Sequence, residues 1–212
     1  MISTQRLRTI LEGQPVIPVL RIERAEDAAP LARALAKGGL PAVEITLRTP
    51  QALEAIRRVA AEVPEAIVGA GTILNPKHFA EAAAAGATYI VSPGQTPALF
   101  DAAADSDVPL LPGATTATEI MLAAERGYDI LKFFPAEQAG GAAFLKSLAS
   151  PFQGIRFCPT GGITPSNAAT YLGLPNVVCV GGSWVAPDAL LASGAWDQIT
   201  ALAAEAAKMK KA

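Results

Sequence analysis

VIPVLRIERAED, from Val16 to Asp27, passes from five strand-forming residues directly into a charged turn. The first strand of an open doubly wound sheet would lead instead into a GxGxxG turn, whose glycines let the backbone approach a pyrophosphate. RIERAED contains no glycine, so this run opens a different kind of parallel sheet. Seven comparable runs follow: AVEITL from Ala42, AIVGAG from Ala66, TYIVS from Thr88, VPLL from Val108, DILKFF from Asp129, IRFCP from Ile155 and NVVCVGG from Asn176. Successive runs start 20 to 26 residues apart. That is room for one strand, one helix of about three turns and two short loops. Between the runs, Leu53, Ile56, Val59 and Val63 step along one helix face, and Trp196, Ile199 and Leu202 along another. Eight βα units without a compositional break predict an α/β fold, a closed parallel (β/α)8 TIM barrel forming a single domain over residues 1–212. MISTQRLRTILEGQ reads as an amphipathic N-terminal helix, with Arg6, Arg8 and Glu12 among its apolar residues, and not as a signal peptide.

Composition narrows the partners. The 212 residues are 51% apolar and 17% charged, enough to bury a large core. Seventeen basic residues stand against 19 acidic ones and aromatics make up 6%, which argues against a nucleic-acid binder. The uncharged stretches Ala82–Phe100 and Phe157–Pro187 are interrupted by Gly, Pro, Ser, Thr and Asn, so neither is expected to span a membrane, and a cytoplasmic address is expected. Cys158 and Cys179 lie in strand-like apolar runs and read as small hydrophobes. The single histidine, His78, follows Asn75-Pro76 at an expected helix start, where a solvated surface residue is the ordinary reading. No Cys, His or carboxylate cluster has metal-ligand spacing, so neither a metal-dependent mechanism nor a histidine-activated nucleophile is expected.

In barrels of this type chemistry collects where strands end. In AVEITLR, Val43, Ile45 and Leu47 alternate with Glu44, Thr46 and Arg48, so the polar set faces the interior, where an unpaired charge is prohibitively costly. A structural ion pair between Glu44 and Arg48 is the plainest remedy. In DILKFFP, Lys132 shares a face with Ile130 and Phe134 and is the one lysine whose apolar context asks for a chemical reason. Snorkelling would explain it. So would a neutral amine that attacks a carbonyl and forms a Schiff base, although a nearby carboxylate would favour the ammonium. Deleting such an amine is expected to leave stability intact or to raise it. The seventh and eighth strands end in PTGGITPSN and VGGSW. Paired glycines there, with a short helix opening at Thr164-Pro165 or Ser183, make a phosphate cup. Thr72 in AGTILNP has a hydroxyl for a carboxylate or carbonyl, and Pro93 in SPGQTP would form a wall.

VEITLRT, GAGTI, SPG, LKFFPAE, RFCPTGGI and VGGSW, in that order and across nearly the whole chain, closely resemble the 2-dehydro-3-deoxy-6-phosphogluconate aldolases, which also act on 4-hydroxy-2-oxoglutarate. The resemblance implies a class I, metal-free and cofactor-free lyase. It would release pyruvate and glyceraldehyde 3-phosphate from a phosphorylated keto acid in the Entner-Doudoroff route, and pyruvate and glyoxylate from the second substrate. It further implies a homotrimer, Lys132 as the Schiff-base residue and Glu44 as the general acid and base. Arg48 and Thr72 would hold the pyruvate carboxylate, Pro93 and Phe134 would wall the pocket, and Gly161, Gly162, Gly181, Gly182 and Ser183 would bind phosphate. A sister family that cleaves the galactonate epimer tends to lack the threonine found here as Thr160, so that residue points to the gluconate substrate. The alternatives are that galactonate aldolase, a phosphosugar isomerase using Lys132 as a fixed charge, or an idle barrel that only binds.

Overall fold

A computed structural model describes residues 2–211. Helix α1 (Ile2–Glu12) leads into β1 (Val16–Leu20), and strands and helices then alternate: α2 (Ala28–Lys37), β2 (Ala42–Thr46), α3 (Ala52–Glu62), β3 (Ile67–Gly71), α4 (Pro76–Ala84), β4 (Tyr89–Val91), α5 (Pro97–Ala104), β5 (Leu110–Leu111), α6 (Ala117–Glu125), β6 (Ile130–Phe133), α7 (Gly141–Leu148), β7 (Arg156–Pro159), α8 (Ala168–Leu172), β8 (Val180–Gly182), α9 (Asp188–Ala192) and α10 (Trp196–Ala207). Several helices begin where suitable caps stand. Asn75, Thr96 and Thr116 accept the N–H of the residue three positions on, and Pro76 and Pro97 occupy first-turn positions that need no donor.

The strands form a curled parallel sheet of six in the order β5-β4-β3-β2-β1-β8, beside a parallel pair β6-β7. Single bridges join the two: Gly113 to Lys132 on one side, and Phe157 to Val177 and Thr160 to Gly181 on the other. The first is held by Lys132 N–H donating to the Pro112 carbonyl and Ala114 N–H to the Lys132 carbonyl, both at 2.9 Å. The fifth strand, expected from Val108, is only two residues long. Pro109 and Pro112 flank it, and a proline brings no N–H to a ladder. The eighth, expected from Asn176, is regular only from Val180.

Alternation along the strands divides the apolar residues between two sides. Val43 and Ile45 join the large cluster under the helices, with Ile56, Val59 and Ile199 from α3 and α10. Trp196 and Leu202 of α10 are only partly buried, because α10 approaches α2 through Ala203 and Gly38. The second cluster is internal. Ile17, Ala42, Tyr89, Leu111, Ile130, Cys158 and Cys179 meet there, covered by Leu7, Ile10 and Leu11 of α1. The N-terminal helix therefore closes one end of the interior with apolar side chains and leaves the polar strand ends to the other. Both cysteines are free and buried, and the Cys179 thiol is pushed up by burial first and by neighbouring Cys158 next, which keeps it an unreactive hydrophobe. Among the described residues no helix is long and apolar enough to cross a membrane.

Candidate active site

Glu44 sits mid-strand in β2 and Lys132 near the end of β6, and each is almost wholly buried, at 3% and 4% exposure. Lys132 Nζ donates to Glu44 Oε1 at 3.1 Å and lies 3.4 Å from Oε2. This pair replaces the one expected within β2. Arg48 lies two residues past the end of that strand, where its N–H turns back to the Thr46 carbonyl. Its Nε donates 3.0 Å to Thr72 Oγ1 and not to Glu44. Thr46 spends its hydroxyl on the Leu20 carbonyl at 2.9 Å. The Phe134 ring stands 5.6 Å from Lys132 Nζ, a cation–π distance. Beneath them Tyr89 donates its hydroxyl to the Val43 carbonyl at 2.8 Å. Burial, and then the charge of Glu44, push the Tyr89 phenol well up, so it keeps its proton.

Thr72 is the one described non-glycine residue with a positive φ, +60°. A β-branched residue in the left-handed region is strained, and here the strain aims the hydroxyl at the Arg48 guanidinium.

A cavity of about 300 Å³ opens at the carboxyl ends of the strands. Lys132 and Phe134 line it together with Arg48, Thr160, Gly161, Gly162, Gly181, Gly182 and Ser183. Glu44, Thr72 and Pro93 are not part of that lining. Glu44 reaches the cavity through Lys132, and Thr72 through Arg48. The Pro93 carbonyl is packed on Gly113, whose bridge partner is Lys132. His78 lies in the first turn of α4, half-buried and not solvated as expected, and it is not in the lining.

The glycine pairs are explained in two ways. Gly161 and Gly162 have φ of +100° and +75°, which only glycine adopts freely. Gly181 and Gly182 instead make room, for the Thr160 hydroxyl and the Trp184 ring respectively. The expected helix openings fall elsewhere. Asn167 Oδ1 accepts the Thr164 N–H and α8 starts only at Ala168, while Ser183 opens a turn closed by Ala186 and α9 starts at Asp188. Among the described residues the N–H groups of Gly162, Ile163 and Ser183 donate to no protein acceptor, and all three residues line the cavity, so the amides free for an anion there belong to loops and not to a helix terminus.

Two charged lining residues escaped the sequence reading. Arg21, the first residue past β1, was seen only as part of a turn lacking glycine, and Asp188 begins α9. Arg21 pairs with Glu23 at 2.5 Å, but both side chains are more than half exposed, so the pair is weak and easily exchanged.

Residues 7–202 match the family model described as Aldolase: KDPG and KHG aldolase. The chain is 51% identical over 204 residues to the 2-dehydro-3-deoxy-phosphogluconate aldolase of Pseudomonas aeruginosa, covering 96% of this chain and 93% of that one. It is 50% identical over 203 residues to the KHG/KDPG aldolase of Escherichia coli K12, covering 96% and 95%. Among solved structures, the KDPG aldolase of Legionella pneumophila with pyruvate captured as a covalent carbinolamine intermediate superposes with a TM-score of 0.93 at 43% identity, covering 95% of this chain and 98% of that one. The Zymomonas mobilis aldolase with 3-phosphoglycerate gives 0.93 at 49% identity, covering 99% and 98%.

Proposed function

Because this chain belongs to the KDPG and KHG aldolase family, we propose that it cleaves 2-dehydro-3-deoxy-6-phosphogluconate to pyruvate and glyceraldehyde 3-phosphate through an imine on Lys132, and 4-hydroxy-2-oxoglutarate to pyruvate and glyoxylate. The observation that carries this reading is the buried contact of 3.1 Å between Lys132 Nζ and Glu44 Oε1 beside the cavity. Lys132 gives a proton to Glu44 and attacks the C2 ketone. The carbinolamine loses water, and the iminium then draws electrons from the neighbouring bond. Glu44 takes the C4 hydroxyl proton, the C3–C4 pair flows into the iminium, and the aldehyde leaves an enamine behind. Protonation at C3 by Glu44 and hydrolysis then release pyruvate.

Arg48, oriented by Thr72, holds the carboxylate, and Phe134 walls the reacting carbons, while Pro93 backs Lys132 from behind through Gly113. Gly161, Gly162, Gly181, Gly182 and Ser183 surround the phosphate, which takes the amides of Gly162 and Ser183 that no protein acceptor occupies, so binding at both ends fixes the scissile bond over the lysine. Thr160, buried above Gly181, supports the gluconate over the galactonate epimer. In this reading the eight strands close as a (β/α)8 barrel in one domain, supported by the three bridges between the sheets. The molecule is a cytoplasmic homotrimer of the Entner-Doudoroff route. Leu74, Met121 and Leu122 are large apolar side chains left exposed that self-association would cover.

Reduction with borohydride in the presence of pyruvate tests the reading: one reduced pyruvyl group should be fixed on Lys132. Unmodified protein, or a label elsewhere, would refute it. Two variants probe the ends of the cavity. Thr72→Gly relieves strain of about 1 kcal/mol but adds similar chain entropy, so stability should hold within about 1 kcal/mol. Its KM for pyruvate in condensation should rise roughly tenfold as Arg48 loses its acceptor. Arg21→Ala should raise KM for the phosphorylated substrate by about tenfold and leave KM for 4-hydroxy-2-oxoglutarate within about twofold, since a charge-assisted phosphate contact is lost. Equal effects on both substrates would assign Arg21 a merely structural part.

A further inference from the structure

Strand β3 reads Ile67-Val68-Gly69-Ala70-Gly71, and its two glycines face the interior. A β-carbon at Gly69 would stand 2.2 Å from Cζ of Tyr89. One at Gly71 would stand 2.0 Å from Glu44 Oε1, 2.6 Å from Cδ and 2.7 Å from Cγ. Those three Glu44 atoms are the nearest neighbours of that position, and Gly71 has no positive φ that would itself call for glycine. Backbone conformation therefore leaves Gly71 unexplained, while the space it vacates is filled by one carboxylate.

We infer that Gly71 is a positioning residue for the aldol chemistry, its bare backbone forming the recess that seats the Glu44 carboxylate against Lys132. This deepens the proposed function and rests on it. Register supports the placement, since Glu44 pairs with Gly69, and the side chain reaches along the sheet over Gly71. Tyr89 fills the preceding recess and is tied to the Val43 carbonyl, so the carboxylate cannot slide down the strand. Its remaining freedom is toward the cavity, away from the position 3.1 Å from Lys132 Nζ.

Gly71→Ala tests this. The lysine is untouched, so trapping of pyruvate by borohydride should proceed to completion. Cleavage, and exchange of the pyruvate C3 protons with deuterium, should fall roughly 100-fold, the scale of a misplaced acid/base group. In a Glu44→Gln background the same substitution should slow cleavage less than about threefold, because the group it displaces is already inactive. Losses that multiply, or trapping and cleavage that fail together, would assign Gly71 a general structural part and overturn the inference. Should Gly71→Ala fold poorly, it should lower the melting temperature of a Glu44→Ala variant far less than that of the wild type, because the missing side chain leaves room for the new methyl group. A drop that persists there would equally overturn it. Wild-type protein that traps no pyruvate would defeat the aldolase reading itself, a separate outcome.

Discussion

Lys132→Met should end turnover and, in the same step, cost the protein about 3–5 kcal/mol of stability. The first loss follows from the imine: without a primary amine there is no electron sink beside the C3–C4 bond, and a more than roughly 10⁴-fold loss is expected against the 10⁶-fold or greater accelerations ordinary for enzymes. The second follows from Glu44. Its carboxylate is 3% exposed and has Lys132 as its only charged hydrogen-bond partner among the described residues, so an apolar side chain at 132 strands a buried charge. From sequence, deletion of an isolated buried amine was expected to be harmless; the ion pair reverses that sign. The double variant Lys132→Met with Glu44→Gln should therefore recover most of the lost stability, a neutral amide standing in for the carboxylate, and stay inactive. Urea denaturation of the wild type and both variants, beside an assay for released aldehyde, checks both halves. Cleavage by Lys132→Met within about 100-fold of the native rate would sink the imine. A fully stable single variant would mean that the pair carries no structural weight.

The strand periodicity was legible because each run is short, β-branched and apolar on one face, and the inward charges were legible because they break that alternation. Glu44 and Lys132 could each be found by asking which strand residue was out of place. Their pairing could not, for it joins positions 88 apart in the chain and depends on how far the sheet curls. Local alternation favoured Arg48 as the partner of Glu44, yet β2 ends at Thr46 and the guanidinium swings to Thr72. Glycine was the least readable residue. In FCPTGGI it answers to left-handed backbone, in VGGSW to the side chains of Thr160 and Trp184, and in VGAG to those of Tyr89 and Glu44. All three uses look alike as letters. Arg21 was hidden for another reason: a charged residue in a charged turn carries no mark that it borders a cavity.

Glu44→Gln should separate the two halves of the reaction. Glutamine matches glutamate in shape, so the recess over Gly71 stays filled, and its carbonyl oxygen can still accept from Lys132 Nζ, which in the native protein lies 3.1 Å from Oε1. The fold should persist, and pyruvate should still be fixed on Lys132 by borohydride, because solvent entering the cavity can carry the proton that dehydration requires. Cleavage asks for more. The C4 hydroxyl must lose its proton as the C3–C4 bond breaks, and C3 must gain one before pyruvate leaves, and an amide does neither. Removing a positioned acid/base group of this kind typically costs 10²- to 10⁴-fold, so cleavage should fall by roughly that factor and exchange of the pyruvate C3 protons should fall in parallel. Rapid-quench measurement of imine formation, beside steady-state cleavage and deuterium uptake, resolves the three rates. If cleavage keeps its native rate, Glu44 is only the structural counter-ion of Lys132 and the proton carrier lies elsewhere in the cavity. If imine formation fails as completely as cleavage, the carboxylate is needed before the carbon–carbon bond is engaged, and its role shifts to activating the amine.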